Sequence, residues 1–150
     1  MSIHTNYLTS VLDLATFRKN ITAAKKKLKN LDFDAFAVSG NSGTLMGGAL
    51  AAILKKKLIL VRKPSDNSHS SYTIEGDDSV SSFMFLDDQV STGATKARVV
   101  EEVRAWLPNV VFRGTYLYNH SNLDYIAPPK PPKKKKVVRK AATKKKCLTK

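Results

Sequence analysis

Asp87 and Asp88 are the two side chains with the clearest chemistry in this sequence. They end an apolar run, Phe83-Met84-Phe85-Leu86, and open a small, hydroxyl-rich turn, Gln89-Val90-Ser91-Thr92-Gly93-Ala94-Thr95. A short apolar run closed by turn residues reads as a strand buried on both faces. The helical pattern from Lys96 to Trp106 follows. The turn therefore ends at a helix N-terminus, where unpaired amides and the helix dipole favour an anion. Carboxylates at its mouth can accept hydrogen bonds from sugar hydroxyls or face a cation. A phosphate cradle beside two acids suits a phosphorylated sugar.

The elements that must position this stretch can be read in order. Ser10–Asn30 has an apolar stripe of helical period, with Lys25–Lys27 and Lys29 gathered at its end. Ala35–Val38 is a strand, followed by a second small-residue turn, Ser39–Thr44, and a compact helix from Leu45 that ends at Lys55–Lys57. Leu58–Val61 is the next strand, and the polar stretch Arg62–Val80 reads as a long loop or a loose hairpin. After the helix Ala94–Leu107, stopped by Pro108 and Asn109, come strand Val110–Tyr118 and a short strand Leu123–Ile126. Alternating strands and helices, with continuous apolar strands, predict an α/β fold with a mostly parallel central sheet flanked by helices. Such a sheet brings both turns, Ser39–Thr44 and Asp87–Thr95, to one edge.

Composition narrows the class. The 150 residues are 42% hydrophobic and 25% charged, as expected of a globular chain, but the net charge is +14. Eleven Lys or Arg and no acid lie in Pro128–Lys150, which leaves about +3 on residues 1–127. We divide the chain into an α/β domain, 1–127, and a Lys/Pro-rich tail, 128–150, expected to be disordered. The tail suits sequence-independent contact with nucleic acid, and nuclear import in a eukaryotic setting. One cysteine, Cys147, excludes an internal disulfide. His4, His69 and His120 lack metal-ligand spacing. With no signal-like N-terminus and no membrane-length apolar run, the expectation is a soluble, cytoplasmic protein without membrane contact.

Phe83–Thr95 resembles the phosphoribosyl-pyrophosphate signature of the type I phosphoribosyltransferases: four apolar residues, two acids, small residues, then Thr-Gly and a nearby Thr. Ser39–Thr44 occupies the place of that family's pyrophosphate loop. Leu58–Lys63 resembles a basic strand end of its adenine-type members, and Ser71-Tyr72 a Ser-Tyr pair in the catalytic loop of purine-salvage members. The resemblance implies the family's α/β core, with a small hood from the N-terminal helix and Leu123–Ile126.

It also implies a transferase that moves ribose 5-phosphate from phosphoribosyl pyrophosphate to a nitrogenous base, favouring a purine, with release of pyrophosphate. Asp87 and Asp88 would hold the ribose hydroxyls, and Ser91, Thr92, Gly93, Ala94 and Thr95 the 5′-phosphate. Ser39, Gly40, Asn41, Ser42 and Gly43, with Lys63 and Arg62, would meet pyrophosphate. Ser71 and Tyr72 would close over the site, and Val90 and Tyr125 would touch the base. Mg²⁺ would be held mainly by substrate oxygens, and members of this fold often form homodimers. Ser91 stands where 6-oxopurine enzymes place an aspartate, and the Ser39–Gly43 loop lacks the Arg or Lys that many members carry there. A competing expectation is a non-catalytic module of the same fold, sensing nucleotides or attached to nucleic acid through the tail.

Overall fold

The apolar runs of the sequence become the middle of a six-stranded sheet. In the computed structural model, which describes residues 4, 5, 7–64 and 71–130, the strands are β1 (Ala35–Val38), β2 (Lys57–Val61), β3 (Ile74–Glu75), β4 (Ser82–Asp87), β5 (Val111–Leu117) and β6 (Asn122–Tyr125). The helices are α1 (Thr9–Leu12), α2 (Leu14–Leu28), α3 (Gly40–Leu54) and α4 (Ala94–Trp106). Spatial order is β3-β2-β1-β4-β5-β6. The central four strands run parallel, and β3 and β6 pair antiparallel at the two edges.

Burial explains the continuous apolar runs. On one face, Phe36, Val38, Met84 and Leu86 pack with Ala24 and Leu28 of α2 and Met46 and Leu50 of α3. On the other, Ala35, Ala37, Ile59, Phe83 and Phe85 pack with Val99 and Val103 of α4. Every residue of β1 is buried, so neither face can carry a polar alternation. No helix among the described residues is long and apolar enough to cross a membrane.

Several boundaries differ from the sequence reading, each for a local reason. The single helix expected over Ser10–Asn30 is broken at Asp13, whose backbone is extended and whose carboxylate accepts from Thr16 N at 2.7 Å. N-capping outweighs helix continuity there. The second helix starts at Gly40 rather than Leu45, so the small-residue turn is largely its first turn. Arg62–Val80 contains β3, which returns beside β2 as a short hairpin; residues 65–70, including His69, lie outside the described residues. Leu123–Ile126 does not form a hood. Its strand begins at Asn122 and extends the main sheet, with Leu117 opposite Asn122 and Gly114 opposite Tyr125. The expected tail falls outside the described residues from 131 onward.

Asp34 fastens the amino ends of β1 and β4. Its Oδ2 accepts from Ser81 N, Ser81 Oγ, Ser82 N and Ser82 Oγ at 3.0, 2.6, 2.9 and 3.1 Å. Burial works against the charged form, yet these bonds together hold the carboxyl below its usual range. A depressed carboxylate pKa stabilises above the unfolded value and loses that contribution as pH falls through the folded value. Asp34→Ala should therefore cost about 2 kcal/mol near neutral pH in urea unfolding. The deficit should shrink as pH drops below the carboxylate range.

Candidate functional site

β1 and β4 are neighbours, but the chain leaves β1 towards one face, as α3, and leaves β4 towards the other, as α4. Their carboxyl ends therefore diverge and open a crevice, the usual ligand position in open α/β sheets. A cavity of about 280 Å³ occupies it. Two turns 48 residues apart in sequence form its walls: Ser39–Ser42 on one side and Asp87–Gly93 on the other, with Thr95 and Lys96 beyond.

The first turns of α3 and α4 both open into this cavity. Each presents amides that lack an intrahelical acceptor and the positive end of a helix dipole. Lys63 and Lys96 line the same space. Gly40 takes the left-handed conformation, φ 73°, that favours glycine, and a Cβ there would only touch Lys63 Cε, at 3.5 Å. Between these positive groups lie the two acids. Asp87 Oδ1 accepts from Asp88 N at 2.9 Å and Asp88 Oδ1 from Gln89 N at 2.7 Å. The backbone carbonyls of Asp87 and Asp88 accept from Tyr118 N and Asn119 N, which ties the turn to the end of β5.

Asp87 is half-buried, and its pKa is raised to about 6. Burial is the main cause and the adjacent Asp88 adds to it, while the Asp88 amide and the Lys63 charge pull the other way. A carboxylate desolvated beside a second acid gains most when hydroxyl donors or a cation approach it.

The structure brings together most of the residues singled out in the sequence, but not all. Ser39, Gly40, Asn41, Ser42, Lys63, Asp87, Asp88, Val90, Ser91, Thr92, Gly93 and Thr95 line the cavity. Ala94 begins α4, its amide donating to Thr92 Oγ1 at 3.3 Å. Gly43 lies beneath, where a Cβ would come within 3.3 Å of Leu86 O and 3.7 Å of Asp87 Oδ1. Arg62 points elsewhere, donating from Nε and Nη2 to Glu75 Oε1 at 3.0 and 2.7 Å across the β2–β3 hairpin. Ser71 and Tyr72 are exposed and do not line the cavity. Tyr125 is at the wrong end of the sheet for a base contact. Its hydroxyl donates to Asp32 O and accepts from Asp32 N, at the turn before β1, so it is a structural aromatic. Among the described residues, no group of three or more His, Cys, Asp or Glu could hold a metal ion.

Four residues went unnoticed as site residues in the sequence: Gln89 and Lys96, which line the cavity, and Tyr7 and Arg98. Tyr7, 61% exposed, lines the cavity, as does Val90. Arg98, one turn into α4, is the mechanical hub. Its Nη2 donates to Ser39 Oγ at 2.8 Å, and its Nη1 donates to Arg62 O and to Glu102 Oε1, each at 2.9 Å. One guanidinium thus joins the carboxyl ends of β1 and β2 to the helix that follows β4. Arg98→Gln should leave the sheet intact yet speed amide exchange at Ser39–Ser42 and Lys63, because the bonds that tie the ends of β1 and β2 to α4 are lost. Unchanged exchange there would mean that Arg98 only supports α4.

No family model matches the sequence, and no curated protein matches it either. Solved structures do match in fold. A UMP synthase from Leishmania donovani aligns at TM-score 0.58 and 19% identity, over 78% of this chain and 27% of that one. An orotate phosphoribosyltransferase from Aeropyrum pernix aligns at 0.59 and 16%, over 78% and 66%. An adenine phosphoribosyltransferase from Thermoanaerobacter pseudethanolicus aligns at 0.53 and 22%, over 79% and 81%. The chain spans less than two thirds of the length of the first two. This architecture is therefore that of the phosphoribosyltransferases. More narrowly, it is the type I phosphoribosyltransferase fold, with a sheet flanked by helices and an acid pair at its switch point.

Proposed function

We propose that the protein is a phosphoribosyltransferase that uses phosphoribosyl pyrophosphate. The observation that carries this reading is the convergence of two helix N-termini and Lys63 around Asp87 and Asp88 in one crevice. A substrate suited to it has two separate phosphate groups and a diol between them. Ser91–Thr95 would take the 5′-phosphate at the start of α4. Gly40–Ser42 and Lys63 would take the diphosphate, and the carboxylates would accept from the 2′ and 3′ hydroxyls.

As the bond from the anomeric carbon to diphosphate oxygen breaks, positive charge develops on the sugar, and the paired carboxylates stabilise it. The base nitrogen forms the new bond and its ring N–H proton passes to water or to the departing pyrophosphate, which leaves along the Lys63 side. Mg²⁺ fits this site as a substrate-borne ion: two adjacent carboxylates lining the crevice suit an ion that keeps phosphate and water ligands, and it would neutralise the leaving diphosphate. Val90 and the Tyr7 ring supply an apolar and aromatic lining for a planar base, and a purine is the acceptor we favour. Ser71 and Tyr72, outside the cavity, would complete the site by moving over bound substrate and excluding water.

The test is pyrophosphate release from phosphoribosyl pyrophosphate and Mg²⁺ with adenine, guanine, hypoxanthine and orotate in turn. Base-dependent release with a purine supports the reading in full, and release with orotate alone would keep the reaction but replace the base. No release with any base would overturn it.

A further inference from the structure

We propose that the pole opposite the crevice is a binding surface for a nucleic-acid phosphate backbone, built by the folded domain itself and independent of the reaction at the site. The first observation is a charge asymmetry. Residues 9–57, from α1 to the first residue of β2, contain nine Lys or Arg and three Asp or Glu, a net of +6. Residues 58–127 contain six and nine, a net of −3. The positive part of the domain is therefore the α2–α3 layer.

The second observation is where those charges stand. α2 and α3 pack on the same face, and both end at the amino edge of the sheet, where α2 leads into β1 and α3 into β2. Lys56 joins the two ends, donating to Phe33 O with its ammonium 4.5 Å from the Phe33 ring centroid. Around them Lys25, Lys26, Lys29 and Lys55 are exposed. None of these four is paired with a carboxylate among the described residues. Helical spacing continues the line up α2: Arg18, Lys25 and Lys29 share a side, with Lys19 and Lys26 next to it, over roughly 16 Å. That side is opposite Lys27, which donates to Ser121 O, and flanks Phe17, Ile21, Ala24 and Leu28, which face the core.

Two helix C-termini call for about half a positive charge each. The lysines here exceed that requirement several-fold, and like charges gathered without counter-ions cost stability unless a polyanion meets them. The nearby acids do not balance them. Asp34 is held by Ser81 and Ser82, and Asp77 is paired with Lys57 at 2.8 Å, which leaves the exposed Asp32, Asp78 and Asp124 near this edge, fewer than the lysines.

The third observation is continuity with the tail. The Tyr125–Asp32 bonds pin the end of β6 three residues from Lys29, and Ile126 N donates to Arg113 O just beyond. The sequence after Lys130 adds ten Lys or Arg and no acid. A nucleic-acid backbone fits this surface better than a lipid headgroup layer. A membrane-surface helix needs apolar anchors on the same helix face as its cations, and the exposed Leu12 and Leu14 lie at the far end of this line, while Ile53, Val111 and Ile126 are single exposed apolar residues on three separate segments.

The experiment is fluorescence anisotropy of a labelled random-sequence duplex of ~20 base pairs with the full chain across a salt series. The variants are Lys25→Gln/Lys26→Gln/Lys29→Gln/Lys55→Gln and the matching all-Arg set. Each lost phosphate contact should reduce the salt slope by about 0.9, so the four-residue Gln set should flatten it by about 3.6 and weaken binding at least tenfold near 100 mM salt. The Arg set should keep both. Unchanged slope and affinity in the Gln set would overturn the proposal, because the tail alone would then be responsible. Absence of duplex binding, or binding only to phosphatidylserine vesicles, would overturn it as well. Base-dependent pyrophosphate release is read in parallel and should not change in either set, so failure here and failure of the enzymatic reading are separate results.

Discussion

Asp87→Asn should make the protein more stable and inactive. The carboxyl is half-buried beside Asp88, and its pKa is raised to about 6, chiefly by burial. A group whose folded pKa is raised holds its proton in the native state while the unfolded state has already lost it. Stability therefore falls as pH rises from the unfolded value near 3.8 to about 6, and stays lower above that. Asn keeps the acceptor for Asp88 N and carries no charge, so it escapes this loss. Two pKa units correspond to nearly 3 kcal/mol, and discounting for partial exposure leaves a gain of about 1–2 kcal/mol at neutral pH. Thermal melts should show the difference growing between pH 4 and about 6 and level above. Turnover should fall by on the order of 10²–10³, because the charge that meets the developing cation is gone. In the wild type, kcat/KM should rise with pH through about 6 as Asp87 ionises. Equal melting temperatures across the pH range would contradict the electrostatic account.

Gly114→Ala should be the most damaging single methyl in the chain. Gly114 sits in β5 at φ 124°, opposite Tyr125, within the register shift between Phe83 and Phe85 in the β4–β5 pairing. A Cβ would stand 1.9 Å from Asp124 O, 2.8 Å from Asp124 C and 3.1 Å from Tyr125 Cα, all backbone atoms. Backbone cannot rotate aside as a side chain can, so β6 must leave. Its departure unpacks Leu123 and Tyr125 and breaks the Tyr125–Asp32 bonds. A loss of about 3–5 kcal/mol is expected in urea unfolding. Exchange protection should disappear first from β6, while the β1–β4 crevice persists. A loss below about 1 kcal/mol would mean that β6 is not held as described.

The parts of this molecule legible in sequence were those written locally. Phe83–Thr95 announced strand, acids, turn and helix within thirteen residues, because burial on both faces and small turn residues leave a contiguous imprint. Ser39–Gly43 was legible for the same reason, although its residues proved to be the helix's first turn. What escaped depends on contacts across the fold. Arg98 looks like any helix arginine until Ser39, 59 residues away, and the carbonyl of Arg62, 36 away, arrive beside it. Arg62 and Lys63 are equivalent in a charge count, but neighbours on an extended chain point to opposite sides. Lys63 turns to the crevice and Arg62 to Glu75. Leu123–Ile126 has too few residues for a period to separate hood from edge strand, and Tyr125 was misplaced with it. Tyr7 had only its ring to distinguish it, before a strand and a helix end were seen to meet next to it.

The central claim is that the two turns form one site for a sugar with a phosphate at each end. Calorimetric titration with phosphoribosyl pyrophosphate, ribose 5-phosphate and inorganic pyrophosphate, each with Mg²⁺, tests it most directly. Phosphoribosyl pyrophosphate should bind at least tenfold more tightly than either fragment, since both turns then act on one ligand. Equal affinity for phosphoribosyl pyrophosphate and ribose 5-phosphate would mean that the Ser39–Ser42 turn takes no part, and would contradict the account.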